Sequence, residues 1–237
     1  MAPAGSAGAP GERSWARDRV KAAVRRTSAA NRDRRWALLR REVCWDDVDH
    51  VVDLGGTAAF WRGCPDDLRP RRVTCVNLAG DPGRTVVGAS EITVVRGDAI
   101  DPPVDPAAAD LVVSNSVIEH VGDDAAVGRF AAVVRANPAH VVQTPNRWFV
   151  VEPHLALPLH FALPRRARIA VVRVWDKGPV HRDRATATTR VDGIRLLDAR
   201  KLARLFPEAT VHRERGLGHT RSLVAISAVA ATGRRAR

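Results

Sequence analysis

Apolar residues along this chain recur with two different periods, and the alternation between them sets the expected fold. From Trp15 to Val43 they fall three and four apart, at Val20, Ala23 and Val24, then Trp36, Leu39 and Val43, with charge between them. That spacing predicts a helix, with room for a break at Thr27–Asn31. Short valine-rich runs follow at His50–Leu54, Val73–Leu78, Ile92–Arg96, Asp110–Ser114 and Ala139–Thr144. Helical composition lies between them at Ala58–Leu68 and Asp123–Arg135. Strands alternating with helices predict βαβ units and a mainly parallel sheet. A long irregular stretch, 147–190, comes next. The pattern then resumes with a helix at Asp198–Phe206, which has Asp198 to cap its start and Pro207 beyond its end. Two last strands, Thr210–Arg215 and Ser222–Ala228, are close enough to pair antiparallel. The expected fold is therefore α/β, a doubly wound, seven-stranded, mainly parallel sheet with its last strand pair antiparallel. Such sheets bind ligands beyond the carboxyl ends of the strands, near the point where strand order reverses.

Composition narrows the picture. A chain of 237 residues that is 45% hydrophobic can bury one full core. It has no charge-free apolar run long enough to span a bilayer. The opening MAPAGSAGAPGER lacks the basic start and apolar stretch of a secretory signal, so a cytoplasmic protein with a disordered leader over residues 1–13 is expected. A basic helical extension, 14–46, would precede the main domain, 47–230, and a basic tail, 231–237, would follow it. Cys44, Cys64 and Cys75 are odd in number and form no metal-ligand spacing, so they read as small buried residues. The formal charge of +12 invites a nucleic-acid partner. Only Lys21, Lys177 and Lys201 are lysines, however, and an arginine, alanine and valine bias fits a GC-rich coding sequence equally well.

The strand ends carry the candidate chemistry. After the first strand, Asp53 precedes Gly55, Gly56 and Thr57. The glycines allow a tight turn against a ligand, and the next helix offers unpaired N–H groups. An acid before the glycines would repel a pyrophosphate and attract an ammonium group, favouring an amino-acid-bearing nucleoside over a dinucleotide. Asn77 at the second end can meet ribose hydroxyls, and turn chemistry accounts for it equally well. At the third, the Asp98 carboxylate can accept from an adenine amine while the Ala99 N–H donates to the ring. The fourth runs through Ser114, Asn115 and Ser116 into Glu119 and His120. A histidine there can titrate near neutral pH. The fifth, QTPNRWFVVEPH, ends on His154.

In order, the segments VVDLGGTAAFW, GDAI, SNSVIEHVGD, QTPNRWFVVEPH and LFPEATVHRERGLGHTRSLVAI resemble the class I S-adenosylmethionine-dependent methyltransferases, of the bacterial kind grouped as methyltransferase type 11, from about Val48 to Ala228. The resemblance implies S-adenosylmethionine as cofactor, with Asp53, Gly55, Gly56 and Thr57 along its methionine half, Asn77 at the ribose, and Asp98 with Ala99 at the adenine. Ser114, Asn115 and Ser116 would flank the sulfonium. Thr57 and Ala59 stand where later glycines are common, and Asn77 where an acid is usual. Ser116-Val117-Ile118-Glu119-His120 is similar to the Glu-x-x-Glu-His of quinone-biosynthesis O-methyltransferases, which can hold a divalent cation; with Ser116 in the first acid's place, no required metal is expected.

O-methylation of a small metabolite, lipid-like or glycosylated acceptor follows as the expected reaction, with His120 or His154 as base and Glu119 or Glu152 orienting it. The insertion at 147–190 would cover the acceptor, and its apolar run ending in Arg165, Arg166 and Arg168 would also suit an anionic membrane surface. The rival readings are an RNA methyltransferase and an inactive cofactor-binding partner. The absence of G-x-G-x-x-G argues against a nicotinamide enzyme. The sequence SNSVIEH, where amino-methylating DNA enzymes carry a Pro-Pro-aromatic run, argues against that class.

Overall fold

Residues 30–152, 154, 157–174, 183–216 and 218–232 are described by the computed structural model. The expected leader, the first half of the Trp15–Val43 helix and the residues beyond 232 lie outside them. The chain divides into two units, Met1–Leu39 and Arg40–Arg237. Residues 30–42 are helical (α1).

The second unit is built on β1 (His50–Leu54), β2 (Arg72–Asn77), β3 (Gly83–Val87), β4 (Ser90–Arg96), β5 (Leu111–Asn115), β6 (His140–Pro145), the two-residue β7 (Val151–Glu152) and β8 (Leu157–Pro158), β9 (Ala209–Gly216) and β10 (His219–Ser227). Eight of these form one sheet in the order β3-β4-β2-β1-β5-β6-β10-β9. Its centre is parallel: Val52 of β1 pairs with Thr74 of β2 on one side and with Val112 of β5 on the other. The final pair, β10 on β6 and on β9, is antiparallel as expected. The eighth strand, β3, turns back on β4 at the edge.

Central strands with helices on both faces must be apolar throughout, and Val51, Val52 and Leu54 are all buried. Strand order reverses at β1, where β2 leads one way and β5 the other, and this opens a crevice beyond their carboxyl ends. Phe130 and Val134 of α3 (Asp124–Arg135; α2 is Ala58–Arg62) join Leu202 and Phe206 in the main core. The expected helix Ala58–Leu68 is interrupted: Gly63 caps α2, and Pro65 opens a separate 3-10 turn at Asp66–Leu68.

The stretch 147–190 is more ordered than its sequence promised. It contains α4 (Arg165–Val172) and α5 (Arg184–Asp192), with Asp183 capping α5 through the Thr186 N–H. Leu157, Ile169, Val172, Ala187 and Val191 form a small core of their own. Two further helices complete the unit, α6 (Ala199–Leu205, capped by Asp198) and α7 (Ala228–Thr232). The three cysteines are free, and Cys64 and Cys75 are buried.

Candidate active site

Four consecutive strand ends meet at one cavity of about 240 Å³, lined by Gly55, Asn77, Asp98, Ala99, Ser116 and His120, with Val76, Leu78, Val117 and Val121 as apolar wall. Gly55 has φ +84°, and a β-carbon there would come within 2.2 Å of Val117, so only glycine fits. Asn77 explains its own departure from the usual acid. Its Nδ2 donates to the carbonyls of Gly55 and Gly56 at 3.1 and 3.0 Å, and its Oδ1 accepts from the Ala79 N–H at 3.0 Å. A carboxylate could not make the first two bonds. Asp98 is fixed by the Ile100 N–H, which donates to Oδ1 at 3.1 Å. Ser116 sits at φ +57°, an uncommon conformation for a residue with a side chain. Two bonds hold it there: its N–H donates to the Gln143 carbonyl at 3.0 Å, and its hydroxyl bonds Gln143 Oε1 at 2.9 Å. Leu78 is 67% exposed at the cavity wall, a large apolar side chain for a flat ligand to cover.

Other predicted residues lie around the cavity without lining it. Asp53 is 1% exposed and turns beneath the loop, where its Oδ2 accepts from Trp61 Nε1 at 2.8 Å. A β-carbon on Gly56 would come within 2.2 Å of that carboxyl. Burial pushes the Asp53 acid up to about 7, with the Trp61 bond pulling the other way. The expected attraction of Asp53 for a ligand ammonium therefore gives way to a buried brace. Thr57 caps α2, accepting from the Phe60 N–H at 3.4 Å. Ser114 is buried and donates to the Leu54 carbonyl at 2.9 Å, tying β5 to β1. Asn115 ends β5 in register with Gln143, also off the cavity lining.

The predicted catalytic residues do converge. Glu119 is fully buried, its Oε2 accepting from the Thr144 hydroxyl at 2.9 Å. Its Oε1 faces His120 Nε2 at 4.0 Å and His154 Nε2 at 3.7 Å, and the two imidazole nitrogens are 3.0 Å apart. His120 Nδ1 lies 3.3 Å from the Gly193 carbonyl. A carbonyl can only accept, so a neutral His120 carries its proton on Nδ1 and offers a lone pair at Nε2, where His154 donates. A proton added to the pair is offset by the neighbouring carboxylate. The same three atoms are also a possible ligand set. A triangle of those sides has its centre about 2.1 Å from each corner, the usual bond length from a divalent ion to imidazole nitrogen or carboxylate oxygen. Ser116 stands in the first acid's place of the Glu-x-x-Glu-His motif, and the fold brings His154 beside Glu119 and His120 as a third donor. The Glu152 side chain is outside the described residues. Trp61, Thr144, Gln143 and Gly193, which hold these groups in place, were not predicted for these roles. Gly193 is 73 residues from His120, and nothing local in the sequence marks it.

The chain is similar to several solved structures. A possible exported protein from Bordetella parapertussis matches with a TM-score of 0.50 at 17% identity, over 96% of this chain and 76% of that one. An O-methyltransferase family protein from Burkholderia thailandensis gives 0.48 at 11% identity, over 82% of this chain and 55% of that one, so this chain spans little more than half of its length. PigF with SAH gives 0.46 at 15% identity, over 88% and 64%. No family model and no curated protein matches the sequence. The fold is a doubly wound, mainly parallel α/β sheet whose last strand pair is antiparallel. The chemistry must be argued from the site.

Proposed function

We propose that the protein is an S-adenosylmethionine-dependent methyltransferase that O-methylates a small-molecule acceptor. One observation carries this reading: a single cavity collects Gly55, Asn77, Asp98, Ala99 and Ser116 from four strand ends and is bordered by the His120–His154 pair. The fit to the cofactor is chemical. Val76, Leu78, Val117 and Val121 suit the faces of a purine, Asp98 and the Ala99 N–H its polar edge, and the open backbone at Gly55 the amino-acid end.

When bound, this cofactor supplies an electrophilic methyl group on sulfur, and the S–CH₃ bond breaks as the O–CH₃ bond forms. The chain's part is to hold the acceptor in line, where orientation alone is worth effective molarities of ~10⁵–10⁸ M, and to take the hydroxyl proton. That proton goes to the histidine pair, and Glu119 stabilises the imidazolium that results. His120→Ala and His154→Ala should each lower turnover by about 10²–10⁴ while leaving cofactor affinity within a few-fold. Full turnover at neutral pH in both would remove the pair from the reaction.

On this reading no metal is required. The third donor favours a second one, in which Glu119, His120 and His154 would hold a divalent cation whose charge would make the hydroxyl more acidic. Turnover unchanged after exhaustive chelation supports the first; loss on chelation, restored by adding the ion back, supports the second.

A further inference from the structure

A second cavity of about 240 Å³ lies between residues of the 147–190 insertion and the segment Val191–Leu196 that follows it. Its wall includes four arginines, Arg147, Arg165, Arg168 and Arg195, with Asp192 as the one acid among the lining residues. Two of the arginines are matched. Arg165 Nε donates to Asp192 Oδ1 at 2.7 Å, and Arg195 Nη1 reaches Asp124 at 3.4 Å while its Nε donates to the Gly122 carbonyl at 2.9 Å. Arg165 holds the Asp192 carboxyl below the ordinary carboxylate range, and Arg168 adds a weaker pull.

Arg147 and Arg168 have no carboxylate bonded to them among the described residues. Arg147 is exposed, its guanidinium 5.3 Å from the centre of the Trp148 ring. The Nε of Arg168 is enclosed without any hydrogen-bond partner. Arg168 is half-buried and its enclosed Nε is unmatched, which is costly, so its placement in a cavity wall suits a countercharge from outside the chain. The excess is two positive charges in a space that fits a headgroup. A phosphate monoester, with a charge of about −1.5 to −2 near neutral pH, matches it in size and charge, and arginine forks suit its oxygens.

The cavity also adjoins the reaction site through one segment. The Arg195 N–H donates to the Glu119 carbonyl at 2.7 Å, and Gly193 accepts from His120, while Ile194 and Arg195 line the arginine cavity. We infer that this cavity seats the phosphate of a phosphorylated acceptor, whose hydroxyl then lies at the histidine pair. The acceptor role rests on the proposed methyl transfer; the phosphate site does not.

The test is calorimetric titration of the full chain with inorganic phosphate and with phenyl phosphate, each repeated on Arg147→Gln, Arg168→Gln and the surface control Arg84→Gln, with S-adenosylmethionine titrated into all four proteins. Each cavity substitution should weaken both phosphate probes about 10-fold or more, leave cofactor affinity unchanged, and differ from the control, which binds like the parent. Arg147 is exposed, so its variant decides the matter if Arg168→Gln fails to fold. Phosphate binding that is absent, or equally reduced by Arg84→Gln, overturns the site even where the cofactor binds. Vesicles carrying phosphatidic acid separate a lipid source from a soluble one: binding to them that is lost in the cavity variants assigns the phosphate to a headgroup. Binding of a short RNA that exceeds phenyl phosphate and is indifferent to the cavity variants assigns the charge to an open surface and overturns the proposal.

Discussion

Asp53 lies near the end of β1 with its side chain buried. It stands where a cofactor loop has its acid, yet the carboxyl is enclosed under Gly56 and bonded to Trp61. Its ordinary value of 3.8 is raised to about 7, first by burial. The folded chain therefore keeps this proton over a range, roughly pH 4 to 7, in which the unfolded chain has lost it. Stability from this group is complete below that range and falls as pH rises through it, by roughly 1.4 kcal/mol per pH unit at most. Asp53→Asn cannot titrate, so urea unfolding at pH 5 and pH 8 should show the variant gaining on the parent by a few kcal/mol at the higher pH. Parallel pH dependence in the two proteins would show that Asp53 is not a proton-holding brace. The sequence could not disclose this. A two-residue period puts Asp53 and Leu54 on opposite faces, but it does not say which face meets the ligand or that Trp61 takes the carboxyl.

At the scale of elements, the tip of β2 is tied to the loop after β1 through the Asn77 amide. An acid at this position would set a carboxylate against two carbonyls. Asn77→Asp should therefore loosen the Gly55 turn and weaken S-adenosylmethionine by about 10-fold or more; equal or tighter binding would show that the ribose contact outweighs the loop bonds. The seven strands anticipated from the sequence are present because buried parallel strands are continuous apolar runs. The edge strand β3 escaped notice because GRTVV is mostly exposed, short and without an apolar stripe. Helices α4 and α5 were hidden differently: α4 is short and follows directly on an apolar, proline-bearing run, and α5 is rich in threonine, a weak helix former, with few apolar positions to set a period. Their stability comes from the small core they share, centred on Ile169 and Val191. Removing the α5 cap with Asp183→Ala should cost about 1 kcal/mol and speed amide exchange in α5 while β1 and β5 keep their protection. Uniform loss of protection would show that the insertion and sheet unfold together.

For the whole molecule, strand order and the converging strand ends make one connected account. The order reverses at β1, the crevice forms there, and the cavity at Gly55, Asn77 and Asp98 is lined by His120, which the Gly193–Arg195 segment joins to the arginine cavity. No described helix is long and apolar enough to cross a membrane. Part of the formal charge of +12 lies in the arginine cavity, whose lining has four arginines and one aspartate. The central claim is that the cavity bordered by Gly55, Asn77 and Asp98 accepts a sulfonium nucleoside. Calorimetric titration of the purified chain with S-adenosylmethionine, S-adenosylhomocysteine and NADH tests it most directly. Saturable one-to-one binding of the first two, with no heat from NADH, is the predicted result; binding of NADH alone, or of none of the three, would contradict it.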